Sequence, residues 1–476
     1  MKKITGKCFK ACQFLLILIP SVFALTAHAA PKYTAIDWEL PATRFSDLGL
    51  SPEKVADLAQ GGQFVIVANP KDFTFWNARQ KKMQDFKQKR IVYAAMVINA
   101  PMAEIQDMVW DLGAQDKFTR WLKDTENLST DGNVRIASYE QEIKVPLIKI
   151  ASDFIVQLNK YDDGDIGMVL IDEGDIESMF QYWEFFPLGD NKTLTVLTSW
   201  QDTDSASFMY SIILEAEPVI GSVFPILATY QRLRQFQQEA AKRHPELVSE
   251  REEKMYDIRS VNGFITDNKS LDTSELKKLT ALGSVQFYQQ TRTFTHEGEV
   301  NDVVQVSAVQ YVPLPKDKIQ PLLSNFDSLA EYNVLTDGWT DTDETEEDWG
   351  FLDIVISIGP FSIPVNIFVT LEDKEDKTLI FHTADHSYMH PLFGHVEYIE
   401  MVDDPEDDGT IVELTIGGVM GPEASFLFKM ARHLPFSNVL IAAVYTMVTS
   451  ESMTDWVVDR VAKDDLAAGQ QVAAAQ

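Results

Sequence analysis

Apolar positions along the chain change period in an ordered way. Residues 51–59 read as a short helix ended by Gly61 and Gly62, and 64–67 and 91–97 as strands rich in β-branched and aromatic residues. The charged stretch 77–90 between them is expected to form a long hairpin or excursion. Pro101 then opens a helix on which Met102, Ile105, Met108, Val109 and Leu112 share one face at the 3.6-residue period. A shorter helix carries Phe118 and Trp121. Five strands follow, at 134–141, 150–158, 167–171, 180–186 and 194–200, with turn clusters such as Asp162-Asp163-Gly164-Asp165 between them. A helical region, 209–243, closes this stretch, with breaks expected near Pro218, Gly221 and Pro225. Its later part, 227–241, is amphipathic, and its Gln, Arg and Glu side reads as outward-facing.

The same order then returns. Residues 274–282 predict a helix and 303–312 a strand, and a Pro-started helix presents Ile319, Leu322, Leu323 and Phe326 on one face. Strands are expected at 351–358, 365–371, 379–382, 396–402 and 412–419, and a helical region broken at Pro435 runs over 424–461. The wording repeats too. Pro101, Ile105, Gln106, Met108, Val109, Leu112 and Pro146 meet Pro315, Ile319, Gln320, Leu322, Leu323, Phe326 and Pro360 at one offset of 214 residues. Solenoid units run about 20–50 residues, so a period this long marks two copies of a whole domain. The division is 51–243 and 271–463, after a lead-in at 30–50 around Trp38. A polar linker at 244–270 separates them, and an Ala/Gln-rich tail at 464–476 reads as disordered.

In each copy the segment strand, (Ala/Leu)-Pro-x-x-x-Ile-Gln, aromatic resembles the first strand and helix pair of the START-like, or polyketide-cyclase (SRPBCC, helix-grip), superfamily. It runs from Ala95 through Ala100-Pro101 to Trp110 and Trp121, and from Ala308 through Leu314-Pro315 to Phe326 and Tyr332. The likeness covers about residues 90–243 and 303–462. It implies an α+β fold of two tandem helix-grip domains, each a curved antiparallel sheet wrapped around a long C-terminal helix over an apolar cavity. Trp110, Trp121, Tyr210, Ile213, Phe224, Leu227 and Tyr230 would then line the first cavity. Phe326, Tyr332, Phe426, Phe428, Met430, Leu440, Val444 and Met447 would line the second. Taken singly, each of these side chains is as well suited to an ordinary core.

Composition changes this picture in three ways. Lys2, Lys3, Lys7 and Lys10, an apolar run from Phe14 to Leu25 and Ala27-His28-Ala29 read as a signal peptide over 1–29, which points to a periplasmic protein. Both cysteines, Cys8 and Cys12, fall inside that segment, so the mature chain is expected to hold no disulfide and no cysteine-bound metal. Removing the four lysines takes the formal charge from −31 to −35, which excludes nucleic acid as a partner and leaves transient membrane contact as the most a membrane would see.

No metalloprotease, nucleophile-elbow, phosphate-loop or dinucleotide motif is present. His382, His386, His390 and His395 fall within fourteen positions, and on a helix the first three would share a face able to hold zinc. The local pattern is strand–loop–strand, which scatters them, so no metal and no cofactor are expected. Glu184 and Glu400 occupy comparable late strands. Alternation puts Glu184 opposite Trp183 and Phe185, on the side read as solvent. The expected function is an exported carrier for a hydrophobic small molecule or lipid. The alternatives are a cyclase or aromatase using the same cavity, and an interaction protein with filled cavities.

Overall fold

The computed structural model describes residues 33–145, 148–172, 174–203, 218–248, 255–258, 261–267, 272–296, 298–341, 348–358, 361–373, 377–382, 389–401, 407–420 and 437–475. The signal-like segment 1–29 lies outside them. Asp37–Gln476 form one unit, to which everything below belongs.

In the first copy, a 3-10 turn (Phe45–Leu48) precedes α1 (Pro52–Gln60), which is capped by the Ser51 hydroxyl accepting from Lys54 N. Strands β1 (Gly62–Ala68), β2 (Lys71–Asn77), β3 (Lys82–Lys89) and β4 (Val92–Ile98) follow, then α2 (Met102–Trp110) and a 3-10 turn (Leu112–Lys117). Six strands come next: β5 (Leu122–Asp131), β6 (Val134–Val145), β7 (Ile148–Lys160), β8 (Ile166–Asp172), β9 (Met179–Pro187) and β10 (Thr193–Gln201). Helix α3 (Pro218–Arg243) closes the copy.

The second copy opens with β11 (Met255–Asp257), α4 (Phe264–Asp267) and α5 (Thr273–Leu282), whose N-cap Asp272 accepts from Ser274 N. It continues with β12 (Gly283–Gln289), β13 (Arg292–His296), β14 (Glu299–Val303) and β15 (Val306–Val312), then α6 (Lys316–Leu323) and α7 (Leu329–Tyr332). Its six strands are β16 (Thr336–Asp341), β17 (Asp348–Ile358), β18 (Phe361–Asp373), β19 (Lys377–His382), β20 (Met389–Glu400) and β21 (Thr410–Met420), and it closes on α8 (Ser437–Ala475). Each copy therefore has the element order implied by the START-like resemblance.

The copies are not separate lobes. Among the described residues, sixteen strands form one antiparallel sheet, ordered β16-β17-β18-β19-β20-β21-β15-β12-β1-β4-β10-β9-β8-β7-β6-β5. The join is β1 against β12, with Gly62 opposite Gln289, Val65 opposite Gln286 and Ala68 opposite Gly283. Gly62 and Gly283 are equivalent positions, and so are Val65 and Gln286. The pairing is thus symmetric about the Val65–Gln286 pair, a pseudo-twofold axis. Either half alone would leave β1 or β12 as an edge of unsatisfied backbone groups, which the fusion removes. The offset falls from 221 residues at Gly62/Gly283 to 214 at Pro101/Pro315 because hairpin β2–β3 is longer than β13–β14.

Both faces of the join are covered, which is why β1 is buried almost throughout. On one face Val65, Val67, Ala94 and Met96 belong to the first core with Leu227, Tyr230, Leu233 and Phe236 of α3. On the other, Phe64 meets Phe45 and Phe287, and Phe287 stacks on Phe264 at 4.3 Å. Helix α8 serves both cores: Val439, Ala442, Ala443 and Met447 enter the first, and Val448, Met453, Val457 and Val461 the second.

Four local expectations change. Helix α3 runs unbroken through Pro225, whose carbonyl accepts from Thr229 Oγ1 at 2.7 Å. The stretch read as a linker pairs β11 in parallel with β13 and docks α4 on the sheet. The strand read over 303–312 divides into the end of β14 and the whole of β15. The tail read as disordered continues α8 to Ala475, in keeping with the high helix propensity of alanine.

Candidate functional site

Between the sheet and each terminal helix lies a cavity, and the two cavities are built by equivalent elements. The first, about 100 Å³, is walled by Tyr139 and Gln141 of β6, Met179 and Gln181 of β9, Ser199 and Gln201 of β10, and Thr229, Arg232 and Gln235 of α3. Trp121 and Leu122 also border it. The second, about 70 Å³, is walled by Leu352 and Ile354 of β17, Leu392 and Val396 of β20, Leu414 and Ile416 of β21, and Tyr445, Thr449 and Met453 of α8, with Tyr332 at one side.

In the second cavity the Thr449 and Tyr445 hydroxyls have partners. Asn333 Nδ2 donates to Thr449 Oγ1 at 2.7 Å, and the Tyr445 hydroxyl lies 3.4 Å from Thr336 Oγ1. Burial pushes the Tyr445 phenol up to about 12. The first cavity contains a charge. Arg232 donates from Nη1 to Thr119 Oγ1 at 3.3 Å and from Nη2 to Gln115 Oε1, and its guanidinium carbon lies 5.3 Å from the centre of the Phe236 ring. The amide of Gln115 in turn donates to Met108 O at 2.8 Å and Val109 O at 3.1 Å, which ties Arg232 to the carbonyl end of α2. Burial pulls the Arg232 guanidinium down to about 10, still well above neutrality.

Of the lining residues expected from sequence, Trp121 borders the first cavity and Tyr332 the second. Trp110 lies instead under the guanidinium of Arg135, 4.6 Å from its carbon. Leu227 is in the packed first core. Tyr230 stacks on Tyr288 at 4.4 Å, at the join of the copies. Val444 packs between the two cores, and Met447 belongs to the first. Tyr210, Ile213, Phe426, Phe428 and Met430 lie outside the described residues, as do the side chains of Phe224, Phe326 and Leu440. His386 and the side chains of His382 and His390 are outside them as well.

Arg232 and Gln235 fall in the stretch 227–241, whose Gln, Arg and Glu side reads from the sequence as outward-facing. The structure turns them inward, because the cavity lies where an apolar stripe would otherwise be expected. Glu184 is likewise buried, 1% exposed. It does face away from Trp183, but that side is covered by the 3-10 turn at Phe45. Its carboxylate accepts from Phe45 N at 2.7 Å and Ser46 N at 3.0 Å. Its counterpart in the second copy is Glu397, not Glu400, which is exposed. Glu397 stands opposite Glu413, and together they accept from Gly263 N, Phe264 N and Ile265 N of the α4 turn.

No protein-family model matches the chain, and no curated protein does. Solved structures do. The di-domain ARO/CYC StfQ from the steffimycin biosynthetic pathway is 12% identical, with a TM-score of 0.25 over 78% of this chain and 99% of that one. Human StAR-related lipid transfer protein 5 is 15% identical, with a TM-score of 0.27 over 39% of this chain and 89% of that one. A STAR-related lipid transfer protein fragment from Xanthomonas axonopodis is 14% identical, with a TM-score of 0.24 over 32% of this chain and 85% of that one.

Proposed function

We propose that this protein is a carrier for hydrophobic small molecules or lipids, each half working as a helix grip that holds ligand between its sheet and its terminal helix. The observation that carries the reading is the recurrence of the cavity. Sequences that differ at most positions keep a space between equivalent strands and the closing helix in both copies, whereas an ordinary core closes such spaces at native packing density. Among the described lining residues there is no carboxylate or imidazole, which favours holding a molecule over acid–base chemistry on it. The leader-like first 29 residues put the carrier outside the cytoplasm in this reading.

Both volumes are below the roughly 300 Å³ of ordinary small-molecule sites, so a full-sized ligand requires helix and sheet to part. Native mass spectrometry of the full chain, purified without detergent and followed by solvent extraction, tests the reading. A co-purifying apolar compound, displaced when Ala228→Trp fills the first cavity or Thr449→Trp the second, is the expected result. Ligand-free protein that also fails to take up apolar probes would overturn it.

A further inference from the structure

The two cavities are alike in place and unlike in chemistry, and the difference lies in polar atoms that nothing among the described residues satisfies. Arg232 Nε, both amide atoms of Gln235, Gln181 Oε1 and Gln201 Nε2 are buried without a hydrogen-bond partner among the described residues. All four residues line the first cavity. No described carboxylate offsets the Arg232 charge; its contacts are Gln115, Thr119 and the face of Phe236. Buried charges are normally paired, and buried amides bonded. Arg232 Nε, two amide nitrogens and two amide oxygens are left unmet around one space, and the N–H groups beside the guanidinium charge describe a receptor for a group that brings its own negative oxygens.

We propose that the first cavity takes the oxyanion head of an amphipathic molecule, a carboxylate or phosphate monoester on an apolar chain. Its oxygens accept from Arg232 Nε and from the Gln235 and Gln201 amides. The second cavity takes an uncharged apolar body. Guanidinium suits either head, because its planar fork matches carboxylate and phosphate alike. The protein then holds two different ligand classes in twin folds. This assignment rests on the carrier reading.

The test titrates octanoate, octyl phosphate and octanol into the purified full chain by calorimetry, using wild type, Arg232→Met, Arg232→Lys and Gln235→Leu, with a melting curve for each variant. At least one octyl anion is expected to bind wild type about tenfold or more tighter than octanol. Arg232→Met should remove that excess, and Arg232→Lys should restore part of it. Gln235→Leu, which keeps the guanidinium, should weaken the anion severalfold and covers the case in which the Arg232 variants do not fold. Whichever anion loses its excess identifies the head group. Anion affinity indifferent to both positions would overturn the proposal and make Arg232 a structural cation solvated by water. Octanol binding with no preference for an anion would sink this assignment and spare the carrier reading, and failure of all three probes would sink both.

Discussion

At the scale of single residues, buried acids do structural work on the face of the sheet away from the cavities. Glu184 satisfies two backbone N–H groups at the start of the Phe45 turn, and nothing else described there accepts from them. Glu184→Ala should therefore destabilise the protein by about 1–3 kcal/mol for each N–H orphaned, read by chemical denaturation, while Glu184→Gln keeps one acceptor and costs less. The second copy concentrates more charge. Burial, and then the neighbouring Glu397, push Glu413 up to about 8, and His395 Nε2 lies 3.3 Å from Glu397. The fold thus binds a proton on Glu413 that the unfolded chain, with a carboxyl near pH ~4.3, has released. Stability from this group is full below the unfolded value and falls as pH rises toward 8. Melting temperatures of wild type and Glu413→Gln should converge at or below about pH 4 and separate by pH 8.5, with wild type the lower. A constant difference across that range would show that Glu413 does not titrate there.

At the scale of elements, caps and phases explain what could be read and what could not. Ser51 before Pro52 and Asp272 before Thr273 mark the starts of α1 and α5 within a residue, because capping is a local side-chain-to-backbone bond. Asp272 also meets Lys54 Nζ at 3.1 Å, which links the two caps across the pseudo-twofold. Its hydrogen bond from Ser274, and then Lys54, hold its carboxyl well below the usual range. If the cap dominates, Asp272→Asn should be nearly neutral and Asp272→Ala should cost about 1 kcal/mol in urea melts; equal losses would assign the stability to the ion pair instead. The closing helices were harder to read. In α8, period and hydrophobicity select apolar positions but not which core each meets: Val444 and Met447 look as fit for a cavity as Tyr445, Thr449 and Met453, which face one. One helix shared between two cores has apolar residues on more than one side, so its pattern does not reveal a single inward face.

At the scale of the whole molecule, the duplication was legible in Pro101/Pro315 and their neighbours, but the merger of the two sheets was not. Edge pairing is made by backbone groups, and backbone groups leave no trace in side-chain patterning except indirectly. The indirect trace is β1 itself: Gly-Gln-Phe-Val-Ile-Val-Ala has no lysine, proline or charge to protect an exposed edge. That composition makes a prediction about the half-molecule. Residues 37–248 expressed alone keep most of the first core, lose the α8 residues that enter it, and expose β1 along seven residues. The axis through Val65 then allows a second copy to take the place of β12, with Val65 opposite Val65. Light scattering should find a dimer, and Val65→Lys, which places two like charges on that axis, should weaken it strongly or drive it to aggregate. Adding residues 255–475 as a separate chain should displace the homodimer, since α8 brings Val439, Ala442, Ala443 and Met447 into the first core, which a second copy of residues 37–248 lacks. A stable monomer of residues 37–248 would mean that the edge is closed by something other than pairing, and that the continuous sheet is a consequence of linkage instead of its reason.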